Sequence, residues 1–317
     1  MALTASAAVC STMTGGRAMA ASEALRVGLI GCGERGVELL RAFHTSSRVS
    51  VVAVADCDDK RLDCARALCA LDTHQDWRAL LARTDIGAVV IAAPDHWHAP
   101  MTLAALDAGK DVYCETPMTL RADDAKAVRD AAARTGRAVW IAGSDAPERG
   151  PLTVRKRDGR ISRIQGDYAY TPPPVRNHED WRRSRDTSGG AATDLLYGKL
   201  AAIVAEFDLG LPTRVSAAGG IAAQDGREAP DNLTMTCTYP GGLEVVLSAF
   251  SQINGDCHRF LSEETGDCTH LSPHLFQLFP HNAETGYRAA VAIDMALEAY
   301  RTGKTIYRQS EEHFTEA

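Results

Sequence analysis

The 317-residue chain contains no apolar run approaching the roughly 18 residues that a membrane span requires. It has no excess of basic charge either: 34 Lys and Arg stand against 41 Asp and Glu, a net charge of −7. Bulk attraction to nucleic acid or to an anionic membrane is therefore not expected. Nine cysteines are scattered along the chain without a C-x-x-C pair, which excludes a disulfide framework and a zinc ribbon. Several of them fall in apolar runs, where a thiol acts as a small hydrophobe, and this points to a reducing, cytoplasmic setting. There is no internal repeat. The remaining balance, 45% hydrophobic and 24% charged residues, is that of a globular protein long enough for two domains.

Residues 1–23 stand apart, being rich in Ala, Ser and Thr with a single Arg. Ala18-Met19-Ala20 followed by Ala21-Ser22 has the small-residue character of a cleavage site, but Thr, Ser and Gly interrupt the apolar stretch before it. Two readings stay open: a disordered tail, or the remnant of an export signal, which would make the protein an exported one.

From residue 24 the pattern becomes regular. Arg26–Ile30 is a short apolar run that ends in Gly31-Cys32-Gly33-Glu34-Arg35-Gly36, and a helical pattern with Gly36, Leu40 and Phe43 follows. In this G-x-G-x-x-G turn each glycine has its own physical role. Gly31 permits the tight turn, Gly33 lets the backbone approach a pyrophosphate, and Gly36 allows close helix–strand packing. The helix N-terminus then presents N–H groups to the phosphates. Val51–Ala55 reads as the second strand, and Asp56 lies 20 residues past Gly36. An acid there receives the ribose hydroxyls and repels a 2′-phosphate, so NAD is expected in preference to NADP, with Lys60 and Arg61 nearby as the contrary signal.

Strands and helices alternate to residue 143, with strands at Ala88–Ala93, Asp111–Glu115 and Ala138–Ala142 and helices at Trp77–Leu81, Met101–Ala108 and Asp123–Arg134. The expectation is an α/β fold whose N-terminal part, residues 24–146, is a doubly wound parallel sheet. Residues 147–317 follow a different grammar. Leu233, Met235, Cys237 and Tyr239 alternate with threonines, Pro240-Gly241-Gly242 turns the chain, and Leu243–Phe250 runs back. Gln165–Tyr170 is a further strand, and helices carry Leu196–Phe207 and Tyr287–Met295. This second α/β domain is expected to hold an open, largely antiparallel sheet whose uncovered face drives homo-oligomerisation.

Taken together, Gly31–Gly36, Ala93-Pro94-Asp95-His96-Trp97-His98, Tyr113-Cys114-Glu115-Thr116-Pro117-Met118 and Ser188–Asp194 resemble the Gfo/Idh/MocA oxidoreductases, and so does the closing stretch Gly286–Gly303. The resemblance implies a Rossmann domain, bound NAD(P) and hydride transfer at a carbon of a sugar or polyol. It places the cofactor against Gly31, Gly33, Glu34, Arg35, Gly36, Asp56, Pro94, His98, Glu115 and Pro117. It places the substrate near Thr116, Trp181, Arg182 and Gly198.

Two departures from the family pattern bear on chemistry. Glu115-Thr116-Pro117 stands where the family reads Glu-Lys-Pro, and Asp194-x-x-x-Gly198 where it reads Asp-x-x-x-His. Of the family's three catalytic positions only Asp194 is retained. On a regular helix Asp194 and Gly198 share a face, Tyr197 lies on the same side as a replacement, and Lys199 is rotated away at about 5 × 100°. A glycine within a helix costs about 1 kcal/mol relative to alanine, which reads as room for a ligand or as relaxed constraint. His98 has two readings, a contact with the nicotinamide ribose or a helix-entry residue bound to backbone; Trp97 could stack on a ligand or pack. Arg182, Arg183 and Arg185 around Trp181 read as a solvated basic loop or as an anchor for an acidic or sugar substrate. His270 and His274 have ligand spacing, but Pro273 between them argues against a helix, and no metal is expected. Two functions follow: an oxidoreductase with altered acid–base groups, or a silent NAD-binding relative serving as partner subunit or sensor.

Overall fold

The computed structural model describes residues 24–69, 71–143, 152–176, 180–251, 268–271, 281–308 and 314–316. The tail before residue 24, and His274 of the His270/His274 pair, lie outside them. In chain order the elements are β1 (Leu25–Ile30), α1 (Glu34–His44), β2 (Val49–Ala55), α2 (Asp59–Leu68), β3 (Asp72–His74), α3 (Trp77–Leu81), β4 (Ala88–Ile91), α4 (Asp95–Asp107), β5 (Asp111–Cys114), α5 (Ala122–Thr135) and β6 (Val139–Ile141). There follow β7 (Leu152–Arg157), β8 (Arg160–Tyr170), a π turn (Ala192–Leu196), α6 (Tyr197–Glu206), β9 (Arg214–Gly220), β10 (Asn232–Thr238), β11 (Glu244–Ser251), β12 (Cys268–Leu271), β13 (His281–Asn282), α7 (Ala283–Thr302), β14 (Ile306–Arg308) and β15 (Phe314–Glu316).

These elements form two units. The first, among the described residues, holds everything up to Thr119, the stretch from Asp124 to residue 143, and residues 281–287. Its sheet runs β13-β6-β5-β4-β1-β2-β3, parallel throughout except for β13, which lies antiparallel on β6. β1 and β4 are apolar at nearly every position because helices cover both faces: Val27, Leu29, Val89 and Val90 are fully buried. α1 adds Leu39, Leu40 and Phe43 to that core. Asp58 and Asp76 cap α2 and α3 by accepting the Lys60 and Arg78 N–H groups, both at 2.9 Å. From β1 the chain moves outward first to β2 and β3, then returns to β4 on the other side. That reversal opens a crevice at the carboxyl ends of β1 and β4, where the loops can hold a ligand.

The second unit carries the sheet β12-β7-β8-β11-β10-β9-β14-β15, antiparallel at every pairing but β8–β11. Leu233, Met235 and Cys237 of β10 are buried and the intervening threonines are half-buried, as the alternation requires. α6 is buried nearly all round through Leu200, Ala201, Ala202, Ile203 and Val204. The π turn leads directly into it.

Several features differ from the sequence reading, short strands such as β3 and β12–β15 and the helix α2 among them. α4 begins at Asp95 rather than at Met101, with Pro100 inside it. β7 and β9 were not expected, since charged or exposed residues break the alternation of one and small residues dilute the other. The first unit also takes back residues 281–287, so its boundary is not a single cut near residue 146.

Candidate functional site

In the first unit the glycine turn follows β1 at the crevice. Gly31 has φ +96°, and a Cβ on it would stand 2.4 Å from the Ala92 carbonyl oxygen; a Cβ on Gly36 would collide with the Gly31 carbonyl. Both glycines are therefore fixed by backbone meeting backbone. Gly33 is different: a Cβ there would meet nothing within 4 Å. It caps α1 without offering a side chain to the helix end. Open space over an uncapped N-terminus fits a pyrophosphate, and a side chain at Gly33 would fill that space.

Asp56 ends β2 beside this turn. One carboxylate oxygen accepts the Cys32 N–H at 2.7 Å and the other the Asp58 N–H at 2.9 Å. Arg61 stands 3.8 Å away and is half exposed. Asp56 is thus a brace for the glycine turn. The neighbouring Cys32 thiol is pushed up to about 12, first by burial and then by the Asp56 charge, so it stays protonated.

The β5 loop is tied to the same turn. Arg35 donates from Nε to Glu115 at 2.9 Å, linking α1 to the end of β5, and it also pairs with Glu38. Pro94 caps α4 with an extended backbone, Thr116 is half-buried and Pro117 is buried. Trp97 is 38% exposed, with the His96 ring 5.8 Å from its own.

His98 is not a ribose contact. Its Nδ1 lies 2.6 Å from the Pro117 carbonyl and its Nε2 2.8 Å from the Ala93 carbonyl, and the residue is 1% exposed. Both ring nitrogens are spent on backbone, so the residue clamps the ends of β4 and β5 together. A neutral imidazole has one N–H and can serve only one carbonyl; the imidazolium serves both. Burial pulls its pKa down, yet the Cys114 sulfur and the two carbonyls outweigh burial and raise it to about 9.

In the second unit the centre is Asp194, whose carboxylate is 13% exposed. The segment before it is fixed by glycines: Gly190 has φ +58°, a Cβ there would lie 2.3 Å from the Pro230 carbonyl, and its own carbonyl accepts the Asp194 N–H at 2.8 Å. Arg182 Nε stands 3.8 Å from Asp194 Oδ1, and its guanidinium lies 4.0 Å over the Trp181 ring. Burial pushes the Asp194 carboxyl up, and the charges of Arg182 and Arg227 pull the other way. Arg227 is itself clamped by Asp225 and donates to the Pro173 carbonyl at 2.9 Å. It also lines a cavity of about 560 Å³ together with Arg121, Arg185, Arg301, Ser188 and Tyr300.

The expected replacement changes here. Tyr197 is fully buried, so its hydroxyl faces the interior of the unit and is withdrawn as a proton-transfer group. Gly198 is buried too, in the first turn of α6, which follows the π turn Ala192–Leu196 that carries Asp194. Arg182, half-buried and 3.8 Å from Asp194, is not a freely solvated loop residue. Arg227 was missed by sequence reading: nothing local marks it, and its approach to Asp194 depends on the fold. Among the described residues no group of three or more His, Cys, Asp or Glu could hold a metal, and no helix is long and apolar enough to cross a membrane.

Residues 25–142 match the pattern described as the oxidoreductase family with an NAD-binding Rossmann fold, and residues 155–262 match the GFO/IDH/MocA C-terminal domain. A glycosyl hydrolase family 109 protein of Shewanella baltica is 37% identical over 123 residues, covering 36% of this chain and 27% of that protein. The dTDP-3,4-didehydro-2,6-dideoxy-alpha-D-glucose 3-reductase of Streptomyces violaceoruber is 32% identical over 177 residues, covering 54% of this chain and 51% of its own. The chain therefore spans between about a quarter and a half of these curated relatives. In fold it is similar to the WlbA dehydrogenase from Bordetella pertussis, solved with NADH and UDP-GlcNAcA: TM-score 0.70, 17% identity, 91% of this chain and 100% of that one covered. Two family patterns in register along one chain, over the fold they describe, make this protein a member of the Gfo/Idh/MocA family of NAD-binding oxidoreductases.

Proposed function

We propose that the protein is an NAD-dependent oxidoreductase that interconverts a hydroxyl and a carbonyl on a sugar or polyol. The observation that carries this reading is Asp194: a buried carboxylate 3.8 Å from Arg182, under the opposing charges of Arg182 and Arg227, at the start of the helix of the second unit. Buried charge of this kind is costly and is found where a group is held for chemistry. The nicotinamide cofactor supplies the hydride acceptor or donor when bound. The chain's own residues hold it: Gly33 leaves space for the pyrophosphate, the α1 N-terminus faces it, and Asp56 is the acid at the adenosine ribose. Glu34, Arg35, Pro94, Glu115 and Pro117 line the loops around it. On the substrate side Arg182 and Trp181 form a platform, and Arg182 keeps Asp194 oriented.

Thr116 favours a second reading. It stands where the family's lysine acts and carries no charge, which is what a silent NAD-binding relative would show. The two are separated by incubating the protein with NAD and a panel of hexoses, inositols and hexuronic acids, and following nicotinamide absorbance. Turnover that Asp194→Ala abolishes supports the enzyme; NAD binding without turnover of any sugar, in either direction, supports the silent relative. The open sheet of the second unit is proposed to pair two copies of the chain.

A further inference from the structure

The cavity lined by Arg227 does not have Asp194 in its wall, and the reading above gives it no role. Its volume of about 560 Å³ is that of a site for a small metabolite, and every residue lining it belongs to the second unit. Four of those residues are arginines, Arg121, Arg185, Arg227 and Arg301, and one is an acid, Glu228. In a chain of net charge −7 this concentration of guanidinium is a local feature. Asp294, Asp225 and Glu298 pair with Arg121, Arg227 and Arg301, yet none of these three acids lines the cavity.

The donors of this wall are held in place but only partly used. The Arg227 side chain is 5% exposed. Its Nε and Nη2 donate to Asp225, and Nη2 also donates to the Pro173 carbonyl at 2.9 Å. Three of its five N–H groups are thereby engaged, and the two on Nη1 are left. The Arg185 guanidinium makes no hydrogen bond among the described residues; Glu228 stands 3.8 Å from its Nε. Arg301 gives Nη2 to Glu298 and keeps Nε and Nη1. Backbone bonds fix the same wall. The Pro230 carbonyl accepts the Ala191 N–H at 2.8 Å, Ser188 Oγ accepts the Gly190 N–H at 3.1 Å, and the Glu228 N–H donates to the Arg183 carbonyl at 2.8 Å. A wall set in advance lowers the cost of binding.

We propose that this cavity binds a phosphorylated metabolite, whose phosphate oxygens accept the remaining N–H groups of Arg185, Arg227 and Arg301. A guanidinium offers its N–H groups in a planar fork and meets the oxygens of a phosphate or a carboxylate two at a time. The charge count decides between the two. Four guanidinium groups against the one carboxylate of Glu228 exceed what a single ligand carboxylate balances, whereas a phosphate monoester carries about −1.5 to −2 at neutral pH. Ile221 and Leu297 complete the wall with apolar surface suited to the body of such a molecule. The inference stands apart from the oxidoreductase reading, since it concerns binding to the second unit and involves neither NAD nor turnover.

The test is a calorimetric titration of the full chain with inorganic pyrophosphate at constant ionic strength. One pyrophosphate should bind per chain and raise the melting temperature, an effect that sodium chloride of the same ionic strength does not reproduce. Arg185→Glu and Arg301→Gln should each weaken binding by about tenfold or more, because each removes charge-assisted hydrogen bonds; either variant suffices should the other not fold. Arg157→Glu makes the charge change of Arg185→Glu at an exposed position of β7 outside the cavity, and should bind as the wild type does. Gly33→Val, which fills the space over the glycine turn of the first unit, should also leave the affinity unchanged. No binding at millimolar pyrophosphate, equal affinity in Arg185→Glu, Arg301→Gln and Arg157→Glu, or loss of binding in Gly33→Val would overturn the assignment. Citrate bound as tightly as pyrophosphate would overturn the choice of phosphate. None of these outcomes touches the sugar assay, on which the oxidoreductase reading stands or falls by itself.

Discussion

Asp56 accepts the backbone N–H of Cys32 at 2.7 Å, so the acid at the end of β2 also holds the turn between the first two glycines. On the proposed reading one side chain serves cofactor choice and loop shape together. Asp56→Ala should weaken NAD more than NADP, and should also lower the melting temperature of the cofactor-free protein. The two N–H groups it leaves behind account for about 1–3 kcal/mol each where they stay away from water. Melting curves with NAD, with NADP and with neither separate the two effects; an equal loss for both nucleotides would remove Asp56 from the ribose.

Gly33→Val fills open space instead of creating a clash within the protein. The variant should fold as the wild type does and lose the stabilisation that a native-state ligand confers by mass action. Equal NAD-dependent shifts in the two proteins would place the pyrophosphate elsewhere.

His98 makes stability depend on pH. Its folded pKa, about 9, lies above the ordinary value of 6.5, so the stabilisation is complete below about 6.5 and is lost as pH rises through about 9. The melting temperature should fall across that window. His98→Leu should melt lower throughout, with two buried carbonyls left unpaired at about 1–3 kcal/mol each, and without that slope. A wild-type slope retained in the variant would assign it to another group.

Asp194 works in the opposite sense. Burial raises its pKa above the ordinary 3.8, so the folded state holds a proton that the unfolded chain gives up, and charging the carboxylate costs stability as pH rises through that window. Asp194→Asn should melt higher than wild type at neutral pH, no higher below pH 3.8, and be inactive on every sugar. An unchanged melting temperature at neutral pH would contradict the burial penalty.

Self-association can be read by light scattering at micromolar concentration. Phe250, on β11, is 42% exposed, and Phe250→Asp should shift a dimer toward monomer. A wild-type mass of one chain would dispose of the proposed pairing.

The first unit was legible because its signals are local. A glycine turn bounded by an apolar strand and a helix, and an acid at the next strand end, identify themselves within about 30 residues of sequence. The alternation in β10 and the turn at Pro240-Gly241-Gly242 are equally local. What stayed hidden depends on contacts between distant residues. His98 kept two readings, ribose contact or backbone-bound helix-entry residue, because the Pro117 carbonyl that occupies its ring and decides for the second is invisible to a linear reading. The π turn was missed because one extra residue in a helix leaves no compositional mark, and Lys199 was set aside on the helical angle. Tyr197 was favoured on the same angle, and its complete burial comes from packing that the helical period alone does not reveal.

β13 has a consequence for how the chain is made. Two residues near the C-terminal helix complete the edge of a sheet whose other strands lie within the first half of the chain. On the ribosome the outer side of β6 stays without its neighbour until most of the polypeptide has emerged. An open strand edge invites pairing with other nascent chains, so the protein is most exposed to misassembly late in translation, and the arrival of His281–Asn282 ends that interval.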